Sequence, residues 1–560
     1  MSKQAHPQHP PRGAARVLVD NLIALGADTA FCVPGESYLQ VLDALHDESE
    51  RLRLITCRQE GGAAFMADAY GKLTGKPGIC LVTRGPGATN AAIGVHTARQ
   101  DSTPMLLFIG QVGRPELGRE AFQEVDYRQM FAPLAKWATQ IDDAARIPEI
   151  LARAWHVAVS GRPGPVVIAL PEDMLSDTVA VPDVMPTVML LSHPAPEAYL
   201  RLGELLAEAA RPMLVVGGSA WTAAARASLT AFAARWHLPV AAAFRRQDVF
   251  DNEHPCYVGE LGTSASPALA RRLVEADLVI ALGARLDEMT TNGYTLIEAP
   301  LPRQRLVHIH PEAEELHHVY RPTLGVSATV QGFCAGLECL LPGTSPAWQA
   351  WTDAARGDYE ANRSPGHYPG ALDMGEVMRT LAAQLPDDVI VCNGAGNFTG
   401  WPQRFHRFRH YPSQLAPTSG AMGYGLPAGV AASLVCPQRQ TLVFAGDGDF
   451  LMNGQELATA IQHGGKPLVL VVNNGMYGTI RMHQERRYPE RVVATALYNP
   501  DFAALARAFG AHGEQVHQTA EFAPALARAL ASGTAALIEL IVDPEQITTR
   551  GTLSGLRAGA

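Results

Sequence analysis

The sequence predicts an α/β protein of three consecutive domains, each a parallel sheet covered by helices. Short β-branched runs ending in Gly, Pro or Asn alternate with helical patterns along the whole chain. Continuous apolar runs of this kind suit strands buried on both faces. Two polar, Pro-containing stretches, near 175–195 and 341–372, divide the chain into segments of ordinary domain size. The first and third segments share one pattern of strand, glycine turn and Ala-rich helix, so they read as related domains flanking a Rossmann-like middle one. The expected domains are 13–178, 195–340 and 372–548.

The first segment contains the runs TAFCV (29–33), RLRLIT (51–56), GICLVTRGPG (78–87), MLLFIGQ (105–111) and GPVVIALP (164–171). After RLRLIT, Glu60 opens GGAAFMADAYGKLTG, whose small residues suit a closely packed helix. The middle segment has PMLVVGGS (212–219) and DLVIALGA (277–284). The third has DVIVCNGAG (388–396), TLVFAGDG (441–448) and PLVLVVNN (467–474), with a second small-residue helix in SGAMGYGLPAGVAASL after Pro417 and Thr418.

The 560 residues are 47% apolar and 18% charged, a globular composition. A net charge of −10 gives no global footprint for nucleic acid or anionic membrane. No apolar run approaches the ~18 residues of a membrane span. Met1–Gly13 reads as a loose polar tail without the apolar core of a signal peptide. The eight cysteines form no CxxC pair, which disfavours zinc and a disulfide framework and points to a reducing cytoplasm. Trp401–Gln414 mixes Arg, His and aromatics and reads as an amphipathic surface helix rather than a nucleic-acid patch.

Gly446-Asp447-Gly448 is followed after 24 residues by Asn473-Asn474, and a strand leads into each. Both clusters therefore stand at carboxyl ends of parallel strands, where open α/β sheets bind ligands. Asp447 and Asn474 offer hard oxygens suited to Mg²⁺. The glycines admit a diphosphate to the backbone, and a helix after Asn453 would add its positive end. Alone, GDG would be an ordinary tight turn.

From about Gly13 to Asp543 the chain resembles the thiamine diphosphate-dependent enzymes of the acetolactate synthase and pyruvate oxidase superfamily. The resemblance implies a pyrimidine-binding first domain and a diphosphate-binding third domain of the thiamine diphosphate-binding fold. It implies Mg²⁺ on Asp447, Asn474 and the carbonyl of Met476. It implies cofactor contacts from Gly446, Gly448, Asp449, Gly478, Asn397 and Gly420, with Met422 beneath the bent cofactor. CRQEGGAAFMADAYGKLTG (57–75) resembles the family's glutamate motif. Glu60 would then hydrogen-bond N1′ of the aminopyrimidine, from an apolar pocket that raises its pKa. GPGATN (85–90) and the residues beyond it match carboligase patterns, making Gln111, Phe122 and Gln123 catalytic-pocket candidates, with Pro34 and Gly35 lining the same cleft.

The activity implied is decarboxylation of a 2-oxo acid and transfer of the acyl-anion equivalent to an acceptor, as in acetolactate synthase. A homodimer or homotetramer would share its active sites. A non-ligating decarboxylase or an aldehyde lyase is the alternative. VVGGS and ALGARLDE alone would suit a Rossmann-type dinucleotide binder, which leaves Glu60 and GDG–NN without a role. GARLDEM resembles the family's FAD-contacting GARFDDR, with Arg285 and Asp287 kept and Met289 in place of the last arginine, so FAD stays open. Two further departures are Asn397-Phe398 where synthases have Gln-His, and His483 at the acceptor-site tryptophan. His483 suits a proton shuttle, a carboxylate partner or a plain surface residue.

Overall fold

The computed structural model describes residues 9–187, 191–343 and 346–558. The chain forms two compact units, 1–189 and 190–560. It is α/β, with three six-stranded sheets whose neighbouring strands run parallel. No described helix is long and apolar enough to cross a membrane.

In the first unit the strands are Thr29–Cys32, Arg53–Thr56, Gly78–Val82, Met105–Gln111, Trp137–Gln140 and Pro165–Pro171. Counted along the chain, they lie across the sheet in the order 2-1-3-4-6-5. The third, fourth and sixth are buried along their whole length, as their unbroken apolar runs require. Helix Glu60–Thr74 is capped by the Gln59 side chain, which accepts from Gly62 N–H. It packs against helix Pro86–Asp101 so closely that a Cβ on Gly94 would sit 2.3 Å from Ala64 Cβ. At the far end of the pair, buried Lys72 is 2.8 Å from Asp68 and also pairs with Asp101. Removing that lysine would strand two buried carboxylates, a cost of about 3–5 kcal/mol. The clamp thus fixes the two helices whose opening turns carry Glu60 and Asn90.

Part of the expected N-terminal tail is ordered. Residues 1–8 lie outside the described residues, but Arg12–Gly13 pairs antiparallel with Thr178–Val179. The Arg12 guanidinium holds this ribbon by reaching Asp20 at 2.5 Å and Asp183 at 2.7 Å.

The second unit holds two sheets. Strands Pro212–Val216, Val240–Ala242, Tyr257–Glu260, Leu278–Leu282, Arg305–His310 and Leu324–Ser327 lie in the order 3-2-1-4-5-6. That is the doubly wound Rossmann order. Strands Ile390–Asn393, Gln414–Leu415, Thr441–Gly446, Leu468–Asn473, His512–Val516 and Ala536–Ile541 repeat 2-1-3-4-6-5, the order of the first unit. The echo between the outer segments is therefore one of topology. Buried Asp248 joins the two sheets of this unit by accepting from Ser413 and Gln414 N–H at 2.9 and 3.0 Å.

Three sequence expectations change. The stretch 341–372, of which 344–345 lie outside the described residues, contains helix Gln349–Arg363. Its Trp351 indole donates to Pro212 O, and Arg356 donates to the carbonyls of Asn252, His254 and Tyr257, so it belongs to the middle fold. The surface helix expected over 401–414 is a single buried piece, Gly400–Phe405, because Trp401, Phe405 and Phe408 all enter the core. The helix expected right after Asn453 begins at Glu456, and a separate turn of helix spans Asp447–Phe450.

Candidate active site

In the first unit the predicted residues gather at the carboxyl edge of the sheet. Glu60 is the first residue of its helix and is half-buried, so the expected apolar pocket is not closed within this unit. Its Oε2 accepts from Asn90 Nδ2 at 2.9 Å. Gly35 packs on Thr83 with no space for a side chain, a Cβ there lying 2.4 Å from Thr83 Cβ. Pro34 beside it is exposed. Gly85, at φ +32°, meets Gln123 in the same way, at 2.9 Å from its carbonyl.

Gln111 is fully buried, and both ends of its amide are engaged: Nε2 donates to Val125 O at 2.8 Å, and Oε1 accepts from Val112 N–H. It ties down the loop that carries Phe122 and Gln123. Phe122 itself is 73% exposed. Asn90 had been read only as part of GPGATN; its contact with Glu60 joins two helices and has no local signature.

In the second unit, all ten predicted residues line one cleft of about 220 Å³. They are Asn397, Gly420 and Met422, then Gly446, Asp447, Gly448 and Asp449, then Asn474, Met476 and Gly478. Gly446 faces the Phe398 ring and Gly448 the Tyr477 ring, at 2.8 and 2.5 Å from a built Cβ, so both positions exclude any side chain.

Asp447 is buried, and burial raises its carboxyl above the ordinary value. Asn499 Nδ2 donates to its Oδ2 at 2.7 Å and, at 3.0 Å, to Asn473 Oδ1. Asn473 in turn donates to Glu539.

Asn474 Oδ1 accepts from Met476 N–H at 3.3 Å. The loop between them is strapped by chain 495–497, where Tyr477 N–H donates to Thr495 O and Leu497 N–H to Gly475 O. Asp449, pushed up to about 7 by burial, accepts from Gly423 and Ala395 N–H at 2.9 and 3.1 Å. Its role in the geometry is to hold two cleft loops together. Asn397 is similarly engaged, donating to Ile547 O and accepting from Thr479. Sequence reasoning missed Asn499, Phe398 and Tyr477; an Asn before Pro500 reads as a turn, and the rings carry no signal until the fold stacks them on glycines.

The middle sheet's glycine turns close on each other. A Cβ on Gly218 would lie 2.3 Å from Gly283 O, and Trp221 Nε1 donates to Gly217 O at 2.9 Å. Arg285 stands 3.6 Å from Glu315.

A glycine-lined cleft at a sheet's carboxyl edge, with a buried carboxylate and an amide on its wall, defines an α/β protein of the ligand-binding, open-sheet class. The chain belongs to the thiamine pyrophosphate enzyme family. Residues 12–130 match its N-terminal TPP binding domain, 201–337 its central domain and 394–540 its C-terminal TPP binding domain. It is 36% identical over 545 residues to the acetolactate synthase large subunit of Parasynechococcus marenigrum (strain WH8102), covering 94% of this chain and 87% of that relative. It is 32% identical over 537 residues to the acetolactate synthase isozyme 2 large subunit of Escherichia coli (strain K12), covering 94% and 95%. The match makes this chain a thiamine diphosphate-dependent enzyme of the transferase or lyase kind.

Proposed function

We propose that the chain decarboxylates a 2-oxo acid and ligates the acyl unit to an acceptor carbonyl, with thiamine diphosphate and Mg²⁺. The observation that carries this is the single cleft on which the ten residues implied by the family resemblance meet. The donor set suits Mg²⁺: Asp447 is a buried carboxylate on the wall of the cleft that Asn474 and Met476 also line, and these would supply an amide oxygen and a carbonyl.

Bound thiamine diphosphate supplies the electron sink for decarboxylation. Glu60 holds a proton at N1′ of the pyrimidine, with Asn90 fixing its Oε2. Met422 would lie beneath the cofactor, and the Phe398 and Tyr477 rings would keep water from the diphosphate end of the cleft. The domains follow as pyrimidine-binding 13–178, central 195–340 and diphosphate-binding 372–548. Homodimers or homotetramers complete the sites between subunits.

Non-ligating decarboxylation is the second reading, favoured by Asn397, whose amide is consumed by Ile547 and Thr479 where synthases place Gln-His. Purified protein given Mg²⁺, thiamine diphosphate and a panel of 2-oxo acids decides: CO₂ with a ligated product by mass supports the proposal, and CO₂ with free aldehyde supports the second reading. Titration calorimetry on Asp447→Ala tests the cleft itself; wild-type affinity for cofactor and Mg²⁺ would refute the metal assignment.

A further inference from the structure

A second cavity, of about 480 Å³, adjoins the cofactor cleft in the same unit and shares Ala395, Gly396, Asn397, Gly420 and Thr479 with it. Its wall carries Arg245, Arg486, Arg550 and His483, and no carboxylate. Hydroxyls of Ser264, Thr548 and Thr549 stand among them.

Arg550 donates to Ser264 O and Asn362 Oδ1, both neutral. Neither partner is a carboxylate, and Arg550 makes no ion pair among the described residues. Arg486 makes no ion pair among the described residues. Most guanidinium groups of this protein sit against an Asp or Glu, so two that face a shared cavity without one are a standing positive potential. His483 and Met289, two positions where the sequence departs from the acetolactate synthase pattern, line the same cavity. The wall therefore departs from the family's pattern: it has lost an arginine and a large aromatic, while Arg245, Arg486 and Arg550 stand on it.

We propose that this chamber receives the far end of a 2-oxo acid that carries a second anionic group, a carboxylate or a phosphonate, gripped by Arg486 and Arg550 while the reacting carbonyl lies in the cofactor cleft. This rests on the 2-oxo acid decarboxylase reading above. It narrows the substrate class from small monoanions to dianions. Arg245, whose guanidinium donates to Pro417 O, shapes the floor between the two cavities.

The experiment has two arms. In the first, CO₂ release by the cofactor-loaded enzyme is compared for pyruvate, 2-oxobutyrate, 2-oxoglutarate and 3-phosphonopyruvate. One of the last two is expected to exceed pyruvate in kcat/KM by about tenfold or more, and which one tells carboxylate from phosphonate. Arg486→Gln combined with Arg550→Gln should lower that selectivity ratio on the order of 10²-fold. Preference for the monoanions, or a ratio unmoved by the double variant, overturns the proposal. In the second arm, calorimetry measures succinate, phosphonoacetate and acetate on the same protein. Binding of one dianion that the double variant loses supports the chamber, even if no acid releases CO₂, a result that would sink only the decarboxylase reading. Dianions bound no more tightly than acetate overturn the proposal whatever the assay gives.

Discussion

Asn499 Nδ2 lies 2.7 Å from Asp447 Oδ2 and 3.0 Å from Asn473 Oδ1, so one amide group fixes the rotamer of the carboxylate and of the residue before Asn474. Outer-shell partners of this kind orient metal ligands and are worth about 10- to 100-fold in affinity. Asn499→Ala should weaken the Mg²⁺-dependent binding of thiamine diphosphate by that factor while leaving the fold intact. Asn499→Asp should do worse, because it sets a second negative charge against Asp447. Calorimetry showing unchanged affinity in both variants would remove Asn499 from the site.

The Glu60–Asn90 contact makes a parallel prediction in the first unit. Glu60→Gln should retain the cofactor and slow C2–H exchange on the order of 10²-fold or more, as expected for a lost positioned proton group. Asn90→Ala should slow it less, because the amide that fixes the carboxylate's position at 2.9 Å is lost while the carboxyl itself remains. NMR of the exchange in D₂O reads both; wild-type exchange in Glu60→Gln would end the assignment.

Much of this was legible in the sequence, for a physical reason. Strands buried on both faces must be continuously apolar, and the turns that end them must be small where a ligand or backbone comes close. Gly446 and Gly448 could therefore be placed from the strand end they follow, whereas Gly35 came with the family resemblance. What stayed hidden depends on contacts between distant segments. Asn499 reaches Asp447 across 52 residues, and Trp351 reaches Pro212 across 139. The helix 349–363 looked like a linker because its only apolar stripe is matched by a distant sheet. Trp401 looked like a surface residue because Arg and His surround it in sequence, although its ring stands edge-on to Tyr368 at 4.6 Å in the core.

A pH effect follows from Glu485, buried between Arg481 and Arg557. The hydrogen bond from Arg557, then the Glu490 N–H and Arg481, hold its carboxyl at about 2 against an ordinary 4.5. An acid lowered in the native state stabilises it above the unfolded value and loses that stabilisation as pH falls toward the native value. The contribution is therefore full above about pH 5 and fades below it. The melting-temperature gap between the protein and Glu485→Gln should narrow from about pH 5 to about pH 3. A gap constant over that range would show that the arginines do not depend on the charge.

Flavin content is set by the middle sheet. Gly218 and Gly283 meet backbone to backbone, Trp221 covers Gly217, and Met289 replaces the last arginine of the FAD-contacting pattern. The purified protein should be colourless or only weakly flavin-loaded. A stoichiometric flavin absorption near 450 nm would contradict this.

The last prediction concerns assembly. Glu60 belongs to the first unit and the Asp447 cleft to the second. Each carries exposed apolar side chains beside its own site residues. Ile93 packs next to Gly61, adjacent to Glu60, and Met452 next to Gly423 in the cleft loop, yet they are 44% and 46% exposed. Phe122 and Ile480 are likewise exposed. Apolar surface at the rim of a polar site is stabilised by a covering partner. A second copy of this chain, placing its pyrimidine half-site over the diphosphate cleft, would cover both rims in one isologous contact. Light scattering should then show no monomer at working concentrations. Glu60→Gln and Asp447→Ala proteins, each inactive, should regain activity when dissociated and reassociated together. Random pairing makes half the dimers mixed, and each mixed dimer has one site with both residues intact, so about a quarter of wild-type activity should return. If mixed dimers form and no activity appears, each site is completed within a single chain.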